Sequence, residues 1–164
     1  MLVLDTSTLV LLAKSDLLPL LAQRTRLVIP EEVVRDALAK PQLYDAQVIA
    51  RLLSTGKMHA VKRAHGSHRK RIEADFTLGP GEAAALLLAK ENACPIGTDD
   101  GPAIKAAKIA GVPFVTAVHV LMGLYENGRI DREVALAKLD RLQHVGRYNV
   151  HILDDALARI QKAR

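Results

Sequence analysis

Tryptophan is absent from this 164-residue chain, and aromatic residues make up only 3% of it. That scarcity argues against a protein that stacks nucleobases on aromatic platforms. The core is left to Leu, Val, Ile and Ala within a 49% hydrophobic composition. Cysteine occurs once, as Cys94, so no internal disulfide can form. Cys94 lies in an apolar run and reads as a buried, inert thiol. No stretch approaches the ~18 apolar residues that a membrane-crossing helix needs. The start Met1-Leu2-Val3-Leu4-Asp5 lacks a basic segment and carries an early acid, which does not fit a signal peptide. The expected location is therefore cytoplasmic, with no membrane partner. Also missing are a P-loop, a G-x-S-x-G elbow and the glycine pattern of dinucleotide binding. The six histidines form neither H-E-x-x-H nor a Cys-flanked pair, so zinc is not favoured. No repeat, low-complexity tract or linker interrupts the chain, and its length suits one domain.

What is present is a set of acids at segment junctions: Asp5, Asp36, Glu82 and the pair Asp99-Asp100. Asp5 follows the apolar run Leu2-Val3-Leu4, and Asp99 follows the apolar run that starts at Ala93 and ends at Ile96. Strand-like runs alternate with helical ones along the chain. Strands are expected at 2–4, 26–29, 58–61, 93–96 and 112–115, with a further extended piece at 150–152. Helices are expected at 8–22 (broken at Pro19), 31–38, 45–53, 82–90, 102–110, 117–126 and 132–142, and a last one, capped by Asp154, at 154–162. Alternation of this kind predicts a three-layer α/β fold, its central sheet mostly parallel with helices on both faces. Acids just past the carboxyl ends of parallel strands stand where such sheets collect their chemistry.

Taken one at a time, three of these segments are explained as well by helix capping. Asp5, Glu82 and Asp99-Asp100 all precede or open helices, where acids satisfy free N–H groups and complement the dipole. Asp36 sits late in its helix, where an acid works against the dipole, and reads alternatively as a solvated surface residue. Taken together, converging acids repel one another unless a divalent cation with a preference for hard oxygen ligands, Mg²⁺ or Mn²⁺, joins them. The pattern points to metal-dependent chemistry on phosphate.

Net charge is +5, and its positive part is uneven. Between Lys57 and Arg71 stand six Lys/Arg and three His, with no acid. This stretch is either a solvated loop or helix face, or a patch facing phosphates, with Lys62, Arg63, Arg69, Lys70 and Arg71 as candidate RNA contacts.

The order of four segments resembles the PIN-domain ribonucleases. They are Leu2-Val3-Leu4-Asp5-Thr6-Ser7, Ile29-Pro30-Glu31-Glu32-Val33-Val34-Arg35-Asp36, Leu78-Gly79-Pro80-Gly81-Glu82-Ala83 and Thr98-Asp99-Asp100. The second half resembles the VapC-like toxin branch, in Gly111-Val112-Pro113-Phe114-Val115, in the Leu-rich helix and Asn127-Gly128-Arg129-Ile130 that follow, and in Arg147-Tyr148-Asn149-Val150. The resemblance implies one PIN-like domain over 1–164, with a C-terminal helical extension from about 117. It implies Asp5, Asp36, Glu82 and Asp99 as catalytic acids, and Asp5, Glu82, Asp99 and Asp100 around Mg²⁺ or Mn²⁺. Ser7 and Thr98 resemble the hydroxyl residues that support those acids. Asp36 departs from the family's more usual Glu and is one methylene shorter. Gly101-Pro102 departs from the longer polar residues expected there. The implied activity is hydrolysis of RNA phosphodiester bonds, as the toxin of a toxin–antitoxin pair, with a cognate antitoxin and a homodimer as partners. Two other readings compete. One is a PIN-like RNA- or protein-binding module with a weakened site. The other is a haloacid-dehalogenase-like phosphatase, which needs a second Asp where this chain has Ser7.

Overall fold

The computed structural model describes residues 1–62 and 66–162, with side chains described at 1–62 and 70–162. Five strands form one sheet: β1 (Leu2–Leu4), β2 (Leu27–Pro30), β3 (Met58–Val61), β4 (Ile96–Gly97) and β5 (Phe114–Val115). Every pairing is parallel and the order is β3-β2-β1-β4-β5. Successive strands run outward from β1 on one side and from β4 on the other. The order therefore reverses between β1 and β4, and a crevice opens there at the strands' carboxyl ends.

Both faces of the sheet are covered. Leu2, Leu4, Leu27, Ile29 and Met58 point into one core, and Val3, Val28 and Ile96 into a second. The period-two alternation of a strand separates them. The larger core takes α1 (Thr6–Lys14), α2 (Leu18–Ala22), α3 (Glu31–Ala37), α4 (Tyr44–Ser54), α8 (Ala117–Glu126), α9 (Arg132–Val145) and α10 (Val150–Lys162). The smaller takes α6 (Pro80–Glu91) and α7 (Gly101–Ala110), with α5 (Gly66–Phe76) alongside. The predicted three-layer α/β arrangement is thus the observed one. Leu9, Leu12 and Leu121 are fully buried, each contributing about 1.5–3 kcal/mol of transfer free energy. No helix among the described residues is long and apolar enough to cross a membrane.

Four expectations about elements are corrected. The strands predicted at 93–96 and 112–115 shrink to two residues each. Their first residues complete helix C-termini instead. Ala93 takes φ 48° while Cys94 N–H still bonds Ala89 O, and Gly111 takes φ 68° while Val112 N–H bonds Ala107 O. The run Val150 to Ile152 is helical rather than extended, because Leu153, Ala156 and Ile160 lay a stripe against the core and packing overrides β-branched propensity. Asn149, not Asp154, opens that helix, its Oδ1 accepting from His151 N–H at 2.9 Å.

Candidate active site

Asp5 and Asp99 stand at the ends of neighbouring strands, as β1 pairs with β4 through Val3–Ile96 and Leu4–Gly97. Gly97 lets these strands approach, since a Cβ there would collide with Leu4 Cδ2. Asp5 is fully buried. Its Oδ1 accepts from Ser7 Oγ at 2.8 Å and from Thr8 N–H at 2.9 Å, capping α1. Its Oδ2 is buried and has no hydrogen-bond partner among the described residues. Burial pushes the carboxyl up to about 6 from an ordinary 3.8, and the charge of Glu82 pushes the same way. The neighbouring Thr98 hydroxyl, Thr8 N–H and Ser7 hydroxyl offset only part of that rise.

Two residues join Asp5 to Asp99. Ser7 Oγ donates to Asp5 and accepts from Asp99 N–H at 3.2 Å. Thr8 bonds Asp5 through its N–H and Asp99 Oδ2 through its hydroxyl, at 2.6 Å. Asp99 Oδ2 also accepts from Ala117 N–H at 3.0 Å, at the start of α8, and Oδ1 accepts from Tyr148 Oη at 2.8 Å. Burial, Asp99's charge and this hydrogen bond push the Tyr148 phenol upward, so it remains a protonated donor.

Glu82 lies in the first turn of α6, where Oε2 accepts from Gly79 N–H at 2.7 Å. Asp100 caps α7 through Ala103 N–H at 2.9 Å, and its own N–H donates to Thr98 Oγ1 at 3.2 Å. Asp36 is exposed, and the hydrogen bond its Oδ2 accepts from Thr6 Oγ1 is long at 3.5 Å. Gly81 brings α6 onto this side of the site. A Cβ there would lie 3.0 Å from Asp36 Oδ2 and 3.3 Å from Thr6 Oγ1. Asp5 and Asp99 are therefore joined by hydrogen bonds, Glu82 is near enough to act on Asp5, and Asp36 flanks Thr6 and the start of α6.

Two cavities meet at Asp99. One, of about 410 Å³, has Ser7, Lys14, Asp99, Asp100, Arg147 and Tyr148 on its walls. The other, of about 420 Å³, runs past Tyr148 to His119, Met122 and Ile152. Of the predicted RNA contacts, Lys62 follows the edge strand β3 and is exposed, while Lys70 and Arg71 are exposed on α5. Arg71 also pairs with Asp75 at 3.7 Å. Arg63 lies outside the described residues, as does the side chain of Arg69.

Sequence reasoning assigned no role to Thr8 or Tyr148. Thr8 carried a signal: it is a β-branched hydroxyl residue at the start of an otherwise Leu-rich helix. Tyr148 carried a weaker one, being among only three tyrosines.

The donor set fits Mg²⁺ or Mn²⁺ on chemical grounds. All candidate ligands are hard oxygens, and Asp5 Oδ2 is an orphaned buried carboxylate oxygen with another acid nearby. Among the described residues, no three Asp, Glu, His or Cys stand together as a ready-made metal site. Mg²⁺ does not require one, since it commonly binds through one or two carboxylates together with waters and substrate phosphate.

A family model described as PIN domain matches residues 1–162. No curated protein and no solved structure matches the chain.

Proposed function

This chain belongs to the PIN-domain family, whose members are in general nucleases, and we propose that it is an Mg²⁺- or Mn²⁺-dependent endoribonuclease. The observation that carries the reading is the Oδ2 atom of Asp5. It is buried, makes no hydrogen bond among the described residues, and lies at the switch point of the sheet beside a second strand-end acid. A fold tolerates such an atom where it has a use, and a carboxylate oxygen aimed at a cation is one.

In this mechanism Asp5 and Asp99 hold the cation, with Glu82 and Asp100 adding negative charge around it. When bound, the cation supplies Lewis acidity to the scissile phosphate and lowers the pKa of water. Ser7 and Thr8 keep the two strand-end carboxylates in one arrangement through the hydrogen bonds they share. Thr98 lies beside Asp5 and tempers its basicity. Asp36, exposed and loosely held, serves as an outer acid, reaching the site through water. Lys62, Lys70 and Arg71 offer exposed cations to the RNA backbone, and the same reading extends to Arg63 and Arg69.

The finer reading is a toxin of the VapC-like type, acting in the cytoplasm, dimeric and held by an antitoxin. Its support is the order of segments along the chain. The exposed apolar residues Val150, Ile152 and Leu157 of α10 offer surface to either protein partner.

A second reading, an RNA- or protein-binding module without turnover, is favoured by the lack of a ready-made three-ligand cluster among the described residues. Cleavage assays separate the two. Wild type is expected to cut RNA with Mn²⁺ or Mg²⁺ and to stop in excess chelator, and Asp5→Asn is expected to be inactive. Full cleavage by Asp5→Asn, or by wild type in chelator, sinks the metal-dependent reading. Binding of RNA with no cleavage under any of these conditions selects the second.

A further inference from the structure

Asp99 follows a strand of only two residues and is not itself buried. Its carboxylate is nevertheless held from three directions. Thr8 of α1 and Ala117 of α8 donate to Oδ2, which fills both lone pairs of that oxygen. Tyr148, in the turn between α9 and α10, donates to Oδ1 and leaves that oxygen one free lone pair. Without the phenol, two donors on one oxygen still allow the carboxylate plane to rock about them. With it, the plane is set and the remaining acceptor direction is defined.

The turn is shaped for this contact. Gly146 precedes Tyr148 by two residues, and a Cβ at Gly146 would collide with the Tyr148 ring and lie 2.9 Å from Leu142 O. The glycine leaves room for the ring to fold back over the end of α9 and reach Asp99. The ring also stands on the walls of both cavities that meet at that acid.

We propose that Tyr148 is a positioning residue that orients Asp99 for cation binding, which makes the C-terminal α9–α10 turn part of the active site rather than an appendage to it. The proposal rests on the metal-dependent reading above. Hydrogen-bond partners of a ligating carboxylate are typically worth about 10–100-fold in metal affinity. Binding of Mn²⁺ alone, without RNA, is measured by isothermal titration calorimetry on the full chain. Tyr148→Phe removes only the hydroxyl and is expected to weaken Mn²⁺ binding by about 10–100-fold, with its thermal unfolding in chelator nearly unchanged. Gly146→Ala keeps the hydroxyl but displaces the ring, and is expected to weaken binding in the same range.

A purely packing role for Tyr148 predicts the opposite for Tyr148→Phe, which keeps the ring. Mn²⁺ affinity of Tyr148→Phe within about twofold of wild type overturns the proposal, whatever Gly146→Ala does, while leaving the metal-dependent reading intact. Tighter binding by Tyr148→Phe also overturns it, since the phenol would then compete with the cation. If wild type takes up no Mn²⁺, the metal-dependent reading fails first and this inference falls with it.

Discussion

Replacing Asp5 by Asn should make the protein more stable while abolishing cleavage. The Asp5 carboxyl titrates at about 6 in the fold against an ordinary 3.8, because burial disfavours its charge. Between those two values the native chain keeps a proton that the unfolded chain has lost, so stability falls as pH rises through the window and levels off above it. At about 1.4 kcal/mol per pH unit, ionised Asp5 costs the fold up to about 3 kcal/mol near neutrality. Asparagine stays uncharged throughout. Its carbonyl can keep the hydrogen bonds from Ser7 and Thr8, and its amide replaces the orphaned Oδ2 with a donor. The expected gain above pH 6 is up to about 3 kcal/mol, or about 6–12 °C in Tm for a chain of this size. The gain should shrink toward pH 4. Urea unfolding of both proteins in chelator, across this pH range, measures it. Adding Mn²⁺ at about 100 times its Kd should restore about 2.7 kcal/mol to wild type and little to the variant. A variant less stable than wild type at neutral pH, or a difference that does not change with pH, would refute the reasoning.

Asp16 sits at φ 55° in the turn after α1 and accepts from Tyr44, from Lys138 at 3.3 Å and from Arg141 at 2.9 Å. Burial raises its pKa, but the Tyr44 hydrogen bond and the two cations lower it further than burial lifts it. The stability it contributes is present above the ordinary carboxyl pKa and is lost as pH falls below it. Asp16→Asn, which tolerates the same backbone conformation, should cost about 1 kcal/mol in urea unfolding, less at high salt; no loss would show that the clasp between α1 and α9 contributes nothing. Charge reversal at Lys62 and Lys70 should weaken RNA binding and lower its log–log salt slope by about 0.7 per lost contact, read by fluorescence anisotropy. An unchanged slope would remove the basic stretch from the RNA-binding surface.

Legibility in the sequence followed the range of the interactions involved. Leu2–Leu4 and Leu27–Pro30 are short apolar runs buried on both sides, and they were readable as strands from that alone. Once β1 and β4 are parallel neighbours, the juxtaposition of Asp5 and Asp99 follows from the position of each acid after its strand. The two-residue strands were over-read because helix C-termini at Ala93 and Gly111 absorb apolar residues that look extended. The start of α10 was misread because Val150 and Ile152 favour strands locally, whereas the face that decides the matter is set by Ala156 and Ile160 against the core. Thr8 and Tyr148 bond Asp99 across 91 and 49 residues of chain. No local pattern encodes such contacts, since they exist only after α1, β4 and the α9–α10 turn have packed together.

Capping a helix does not use up the acceptor capacity of an acid at these positions. Asp5 caps α1 with one oxygen and leaves the other unpaired, Asp100 caps α7, Glu82 closes the first turn of α6, and Asp99 accepts from the first residue of α8. Four helix N-termini, each worth roughly half a positive charge, thus face four carboxylates. That arrangement puts a positive helix end beside each acid. At Asp5 it falls short. For Asp5, the cost of burial exceeds what the Thr98 hydroxyl, the Thr8 N–H and the Ser7 hydroxyl return, and its pKa rises accordingly. Its Oδ2, buried and without a hydrogen-bond partner among the described residues, is the atom left open to a cation. A cation bound there would offset the burial penalty on the Asp5 carboxylate. Substituting Asp5 should consequently change metal uptake more than substituting Asp36, whose exposure lets water do the same work.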